Sequence, residues 1–394
     1  MQKITDQERL KPWMGIVLFA VLMALFLTAG NYMQLNWGMT GLILTEVMFL
    51  ALAVGFCLIR KVRIKEVFPV KKVTVKEIFG CLFLLLGGQG LSYVATGAAG
   101  MLFPSWASEV SDLSDFLYSG NAIPAFLIVA VSPAICEEAI HRGAILSCFR
   151  SVKKDWIIVL IMALLFGINH MSPLRFMATA ILGGVLSFVV VKRNNILLSA
   201  LMHFANNAFS SVIGIYSAKM SEGVDVTVSF TPETLGVYLL MGFAAPVFLV
   251  LGWLLISPET HKKISFLFAG ILSAVMLISG IALVFSGAMR NMIVSSTISY
   301  TVTEDDRDTA MDFGVETAKT YTVTVVLKGD KDADYSFVMT GDDGNVLIDA
   351  ALNKGTELRT YTTKLDLDEG LYHTEIRGGE GSVGDNPEIQ INVY

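Results

Sequence analysis

Uncharged apolar runs recur over the first 289 residues, at about 13–30, 39–59, 78–98, 122–149, 156–168, 176–191, 196–215, 235–256 and 264–289. Most approach or exceed the roughly 20 residues that a helix needs to cross about 30 Å of hydrocarbon. The pattern predicts nine membrane-spanning helices, with the run at 156 short and the run at 122 interrupted by charges in its second half. From residue 290 the period changes. Thr297–Thr303 and Thr320–Leu327 alternate β-branched and aromatic residues with polar ones, as strands do. Further strands are predicted at 335–339, 346–350, 359–367, 372–377 and 389–393, separated by turns such as Gly341-Asp342-Asp343-Gly344. About seven strands in about 100 residues suggest a small antiparallel sandwich. The expected fold is a mostly α polytopic bundle over 1–289, followed by an all-β sandwich-like domain over 290–394.

Charge adds an orientation. Linkers with Lys3/Arg9/Lys11, Arg60 to Lys76, Arg150/Lys153/Lys154, Lys192/Arg193 and Lys262/Lys263 alternate with neutral or acidic ones, such as 99–121 with Glu109, Asp112 and Asp115. Basic residues near span ends prefer the cytoplasmic side. The N-terminus is therefore expected inside, in a multi-pass protein of the cell membrane, and the β domain outside. Residues 290–394 carry 20 acids against nine bases, whereas the first 289 carry 20 bases against 15 acids. The chain is 54% hydrophobic and 16% charged, which excludes an ordinary soluble globule. Its net charge of -6 disfavours nucleic acid as a partner. The four cysteines, Cys57, Cys81, Cys136 and Cys148, lie in apolar stretches and suggest neither a disulfide scaffold nor a thiolate zinc cluster.

Polar groups inside spans carry the candidate chemistry, because charge at bilayer depth costs several kcal/mol unless paired or hydrated. The fourth run reads Ser132-Pro133-Ala134-Ile135-Cys136-Glu137-Glu138-Ala139-Ile140-His141-Arg142. Glu138 and Arg142 are i,i+4 neighbours in the order that favours pairing, while Glu137 lies about 140° from Arg142. Arg142 is expected to orient Glu138, leaving Glu137 to bind a water or a metal; the plain alternative is a buried ion pair without chemistry. The fifth run ends Phe166-Gly167-Ile168-Asn169-His170, and the seventh holds His203 and Asn207 on one face. Singly, each histidine is more often a packing hydrogen-bond donor. Together Glu137, His170 and His203 form a carboxylate and two imidazoles, a candidate set for Zn²⁺ or for direct activation of a water. Counted from the basic span ends at 1.5 Å per residue, they stand at about 18, 21 and 11 Å, so that helix tilt can bring them together.

These residues resemble a known family. Glu137-Glu138-x-x-x-Arg142, Phe166-x-x-x-His170 and His203-x-x-x-Asn207, in order on successive apolar helices, look like the three motifs of the CAAX prenyl protease and bacteriocin-processing family, also called the abortive-infection family. The resemblance spans about 78–215. It implies an intramembrane peptidase core in which Glu137 and His170 act on the attacking water. His203 and Asn207 then complete the site or stabilise the oxyanion, Glu138 belongs to the catalytic set, and Arg142 and Phe166 give structural support. His141 is outside the family pattern, a third imidazole or merely a neighbour. The implied partners are the bilayer and a peptide or membrane-protein substrate, with a substrate or an envelope component for the β domain. The family also includes bacteriocin-immunity proteins, so a non-catalytic immunity or scaffold protein stands as the alternative, beside a proton-coupled transporter using the same acids and histidines.

Three signals lie outside the motifs. Glu46 and Gln89 sit at membrane depth, where the expectation is a bond to a neighbouring helix rather than a place in a cleft. Asp330-x-Asp332-x-Asp334 resembles the start of a calcium loop but lacks its later Gly and Glu, and reads as a solvated acidic turn. His261 and His373 sit in polar surroundings and show no partner set.

Overall fold

The computed structural model describes residues 10–103, 106, 116–117, 122–220, 230–257, 262–291, 294–352 and 358–394. Lys3, Arg9, Glu109, Asp112, Asp115 and His261 lie outside these. The chain divides into two compact units, Met1–Val284 and Phe285–Tyr394.

The first unit is helical: α1 Pro12–Arg60, a single turn α2 Ile64–Val67, α3 Val75–Leu102, α4 Ala122–Phe149, α5 Asp155–Asn169, α6 Pro173–Arg193, α7 Ile196–Met220, α8 Pro232–Ile256 and α9 Lys262–Asn291, whose last turns lie past the boundary at Val284. Among the described residues, seven helices are long and apolar enough to cross a membrane. The longest, α1, is two rods. Gly38 takes φ 53°, ψ −127°, a conformation open to glycine alone, and the chain reverses there. Phe26 then meets Phe49 edge-on at 5.6 Å, and a side chain at Gly41 would collide with the Met33 carbonyl. With that reversal and the 15-residue α5, the apolar rods follow the nine runs of the sequence in order.

Polar clamps set the basic ends of the rods. Thr74 and Glu77 form a reciprocal cap at the start of α3, and Glu77 Oε1 accepts from Arg193 Nε at 2.6 Å at the end of α6. Asn195 bonds both backbone groups of Lys71, and Ile196 N donates to the Pro69 carbonyl at 2.8 Å. Lys192 Nζ reaches Asp155 at 2.9 Å, joining α6 to the start of α5. Within the hydrocarbon, α3 and α8 approach through small residues: side chains added at Gly87, Gly90, Gly242 or Gly252 would strike the facing helix. Close backbone approach replaces the hydrophobic drive that lipid removes.

The second unit is a sandwich of two four-stranded antiparallel sheets, ordered β1-β8-β3-β6 and β2-β7-β4-β5. The strands are β1 Val294–Ser299, β2 Asp308–Val315, β3 Lys319–Lys328, β4 Tyr335–Gly341, β5 Val346–Leu352, β6 Arg359–Leu367, β7 Gly370–Gly378 and β8 Glu388–Val393. Alternation places Tyr321, Val323, Val325 and Leu327 of β3 against Phe337, Met339 and Ile376 of the other sheet in one core. Among the described residues there are eight strands here, not seven, and His373 has a partner after all, its Nδ1 lying 2.7 Å from Asp312 Oδ1 on the paired strand. The extra one is β2, whose Asp308, Asp312 and Gly314 weaken its strand signal, and which the β7 pairing holds in register from Asp308↔Arg377 to Val315↔Gly370.

The Asp330 turn is organised by protein donors. Fully buried Asp385 accepts from the backbone of Asp330 at 2.6 Å, of Lys331 at 3.0 Å and of Asn386 at 2.9 Å, and from the Tyr335 hydroxyl at 2.7 Å. Burial, followed by that bond, pushes the Tyr335 phenol above its usual range, so it stays a donor at neutral pH. Replacing Asp385 with Ala strands buried donors and should lower local stability by about 3 kcal/mol, and Tyr335→Phe by about 1 kcal/mol. Faster hydrogen exchange of the β4 amides in the full chain, in that order of size, is the expected reading.

Candidate active site

The site is built on α4, whose course is not uniform. After Ala122–Phe126 the helix widens into a π-helical turn at Leu127–Val131, tightens over Ser132–Glu138 and widens again at Ala139–Ile145. Such turns often mark functional positions. Pro133 has no N–H to offer the Val129 carbonyl four residues back. That carbonyl accepts from Asn207 Nδ2 of α7 at 3.0 Å, and Asn206 Nδ2 donates to Asn207 Oδ1 at 3.1 Å. A proline in one helix thus provides the acceptor that seats an asparagine of another.

Glu138 and Arg142 pair at 2.9 Å with both side chains buried. Arg142 also donates to the Gly183 carbonyl of α6 at 3.0 Å, and its guanidinium lies 4.1 Å from the centre of the Phe166 ring. Phe166 is the hub. It meets the rings of His141, His170 and His203 edge-on at 5.1, 4.9 and 5.8 Å. Gly183 makes room for it, since a Cβ there would lie 2.8 Å from Phe166 Cβ.

Hydrogen bonds define the faces of the histidines. His203 Nδ1 lies 2.9 Å from Glu138 Oε1, and its Nε2 lies 3.9 Å from Glu137 Oε2. The second distance is too long for a direct bond. His170 Nδ1 donates to the Phe166 carbonyl at 2.9 Å and His141 Nδ1 to the Glu137 carbonyl at 3.0 Å. A carbonyl only accepts, so these Nδ1 atoms carry the hydrogen, and in the neutral rings Nε2 is an acceptor. α5 is short for a span, about 22 Å at 1.5 Å per residue, so His170 and the turn after it fall at membrane depth. Irregular backbone is tolerated there where it lines a cavity.

Such a cavity exists, of about 530 Å³. Glu137, His170, His203 and Asn207 line it, with Phe166, and so do Asn169, Arg175, Asn206 and Glu46. The three helices bring one carboxylate and two imidazoles to a common space. Glu138 lies behind it, joining Arg142 to His203. His141 is fully buried outside the lining, a neighbour that bonds Glu137's backbone. Asn169 and Asn206 adjoin motif residues, and their polar types within spans were the available signal. Glu46 reverses its expected reading: it borders the cavity, and among the described residues its Oε2 finds no hydrogen-bond partner on a neighbouring helix. Gln89 is not among the residues that line the cavity, and among the described residues its buried Oε1 has no hydrogen-bond partner.

A bound zinc ion would need Glu137, His170 and His203 gathered around one point. The spacing of Glu137 and His203 would suit two ligands of one ion. Among the described residues, however, no three His, Cys, Asp or Glu side chains converge as a metal site. As placed, the described side chains offer an ion two close donors, Glu137 and His203, rather than three.

Comparison with known proteins follows the motifs. Residues 119–209 match the family model described as type II CAAX prenyl endopeptidase Rce1-like. None of the curated proteins matches the chain. Among solved structures, the pre-peptidase C-terminal domain of collagenase from Bacillus anthracis is 16% identical, with 26% of this chain and 90% of that chain covered and a TM-score of 0.20. A carbohydrate binding module from Cellvibrio mixtus lichenase 5A, in complex with cellotriose, is 15% identical, with 26% and 91% covered and a TM-score of 0.18.

The Glu138–Arg142 pair predicts a stability effect. Arg142→Leu leaves Glu138 uncompensated and should cost about 3–5 kcal/mol. A large fall in the thermal unfolding midpoint of the purified full chain is the expected measurement.

Proposed function

We propose that this chain, whose residues 119–209 match the type II CAAX prenyl endopeptidase Rce1-like model, hydrolyses a peptide bond in a membrane-associated protein or peptide by means of a water activated by Glu137 and His170. The observation that carries the reading is the convergence of Glu137, His170 and His203, from three helices, on one cavity at membrane depth.

Glu137 and neutral His170 Nε2 are both acceptors, so together they hold the two hydrogens of a water and turn a lone pair toward the carbonyl carbon. Glu137 takes the proton as the carbon–oxygen bond forms. Negative charge then develops on the former carbonyl oxygen and needs donors already in place. His203 Nε2, the ring nitrogen that faces Glu137 while Glu138 holds Nδ1, is placed to supply one. The second hydrogen on Asn207 Nδ2 supplies another. Arg142 keeps Glu138 in position, and Phe166 keeps the rings apart at fixed angles. No step calls on zinc, in keeping with the spacing of the donors.

By the alternation of basic linkers, the basic ends of the rods face the cytoplasm and the β unit faces the envelope, where it engages the substrate or an envelope component. Protease added to intact cells should remove the β unit and spare the basic linkers.

The test of the activity uses purified full chain in lipid nanodiscs with a farnesylated Cys-Ala-Ala-Xaa tail peptide, beside a proteomic comparison of cells carrying wild type or Glu137→Gln. Glu137→Gln should cut turnover by roughly 10²- to 10⁴-fold. Chelation with phenanthroline should leave wild-type turnover unchanged. Full activity of Glu137→Gln would sink the assignment, and loss on chelation restored by zinc would replace the mechanism with a metal one.

A further inference from the structure

Glu46 stands outside the matched segment, on the second rod of α1, and the steps above do not use it. It is 5% exposed, and among the described residues its buried Oε2 has no hydrogen-bond partner. Its neighbour Thr45 is satisfied within the hairpin, donating to the Gly41 carbonyl at 2.9 Å and accepting from Gln34 Nε2 at 3.2 Å. An acid at bilayer depth costs several kcal/mol, and among the described residues no donor to Oε2 offsets that cost. Counted from Arg60 at 1.5 Å per residue, Glu46 stands at about 21 Å, the level of Glu137 at about 18 Å. The second rod packs against the Ser132–Glu138 segment, and Glu46 opens on the cavity that holds Glu137, His170 and His203.

Two acids on one reaction cavity can divide the two proton transfers that amide hydrolysis needs. A neutral carboxyl is the form an unpaired site at this depth admits at least cost, and it has a proton to give. We propose that Glu46 is the general acid that protonates the leaving amine, an inference that rests on the peptidase reading above. Glu137 takes one proton from the attacking water, and the hydroxide oxygen bonds to the carbonyl carbon. As the carbon–nitrogen bond breaks, its electron pair stays on nitrogen, which receives the proton of Glu46. The products are a carboxylic acid and an amine. The Glu46 carboxylate then recovers, through cavity water, the proton that Glu137 gained.

The test compares two leaving groups. N-acetyl-S-farnesyl-cysteinyl-alanine amide releases an amine, which must be protonated. The para-nitrophenyl ester of N-acetyl-S-farnesyl-cysteine releases a phenolate that departs without a proton. In the full-length chain in nanodiscs, Glu46→Gln should lower kcat on the amide about 10²-fold while ester turnover stays near that of wild type. Glu137→Gln should lose both. Unchanged amide turnover in Glu46→Gln, or an equal loss on both substrates, would overturn the role given to Glu46 and leave the peptidase reading standing. Equal activity of Glu137→Gln and wild type would overturn that reading, and this one with it. If Glu46→Gln is not recovered folded, Glu46→Asp is measured on the same pair. Its acid is one methylene shorter, so its amide-to-ester ratio should fall, and an unchanged ratio overturns the proposal.

Discussion

A charge carried into hydrocarbon has to find its partners inside the protein, and Arg142 shows how much follows from that constraint. Its guanidinium is fully buried between Glu138, the Gly183 carbonyl and the face of Phe166. These contacts bind α4 to α5 and α6 at one level. Glu138 then has an oxygen in reach of His203, which ties in α7 as well. Satisfying one cation therefore aligns four helices, and the cavity forms on the side that Glu137 faces.

Backbone irregularity is concentrated around the same cavity. Pro133 and the π-helical turns of α4 release or shift carbonyls, and Asn207 and His141 take two of them. α5 stops short of a full span, so that His170 sits in a turn whose backbone would be costly in lipid and is tolerable against a polar space. Backbone carbonyls hold His170 Nδ1 and Asn207, and Glu138 holds His203 Nδ1, which leaves His170 Nε2, His203 Nε2 and the Glu137 carboxylate on the side of the cavity.

The motif residues were legible because each motif lies on one helix. Periodicity predicts that Glu138 meets Arg142 and that Glu137 points away from it, and the 2.9 Å pair agrees. The sandwich was legible from alternation, apart from β2, where acids and a glycine mask the strand and only pairing with β7 defines it. Glu46 was misread for a physical reason. A polar residue in a span ordinarily bonds a neighbouring helix, and nothing within α1 tells whether the facing surface offers a partner or a cavity.

The amino-acid order by itself determined the apolar rods, their alternation with basic linkers, the β-rich tail and the residue pairs one helical turn apart, because these depend on hydropathy and local period alone. Tertiary structure decided which faces of separate rods meet. Phe166 as the hub of three imidazoles, Gly183 as the gap that admits it, Asn207 on the carbonyl that Pro133 leaves open and Glu46 on the cavity that Glu137 lines all depend on packing between segments distant in the chain. Local period carries no information about that packing, which is settled by where small residues let backbones close and where buried polar atoms find partners.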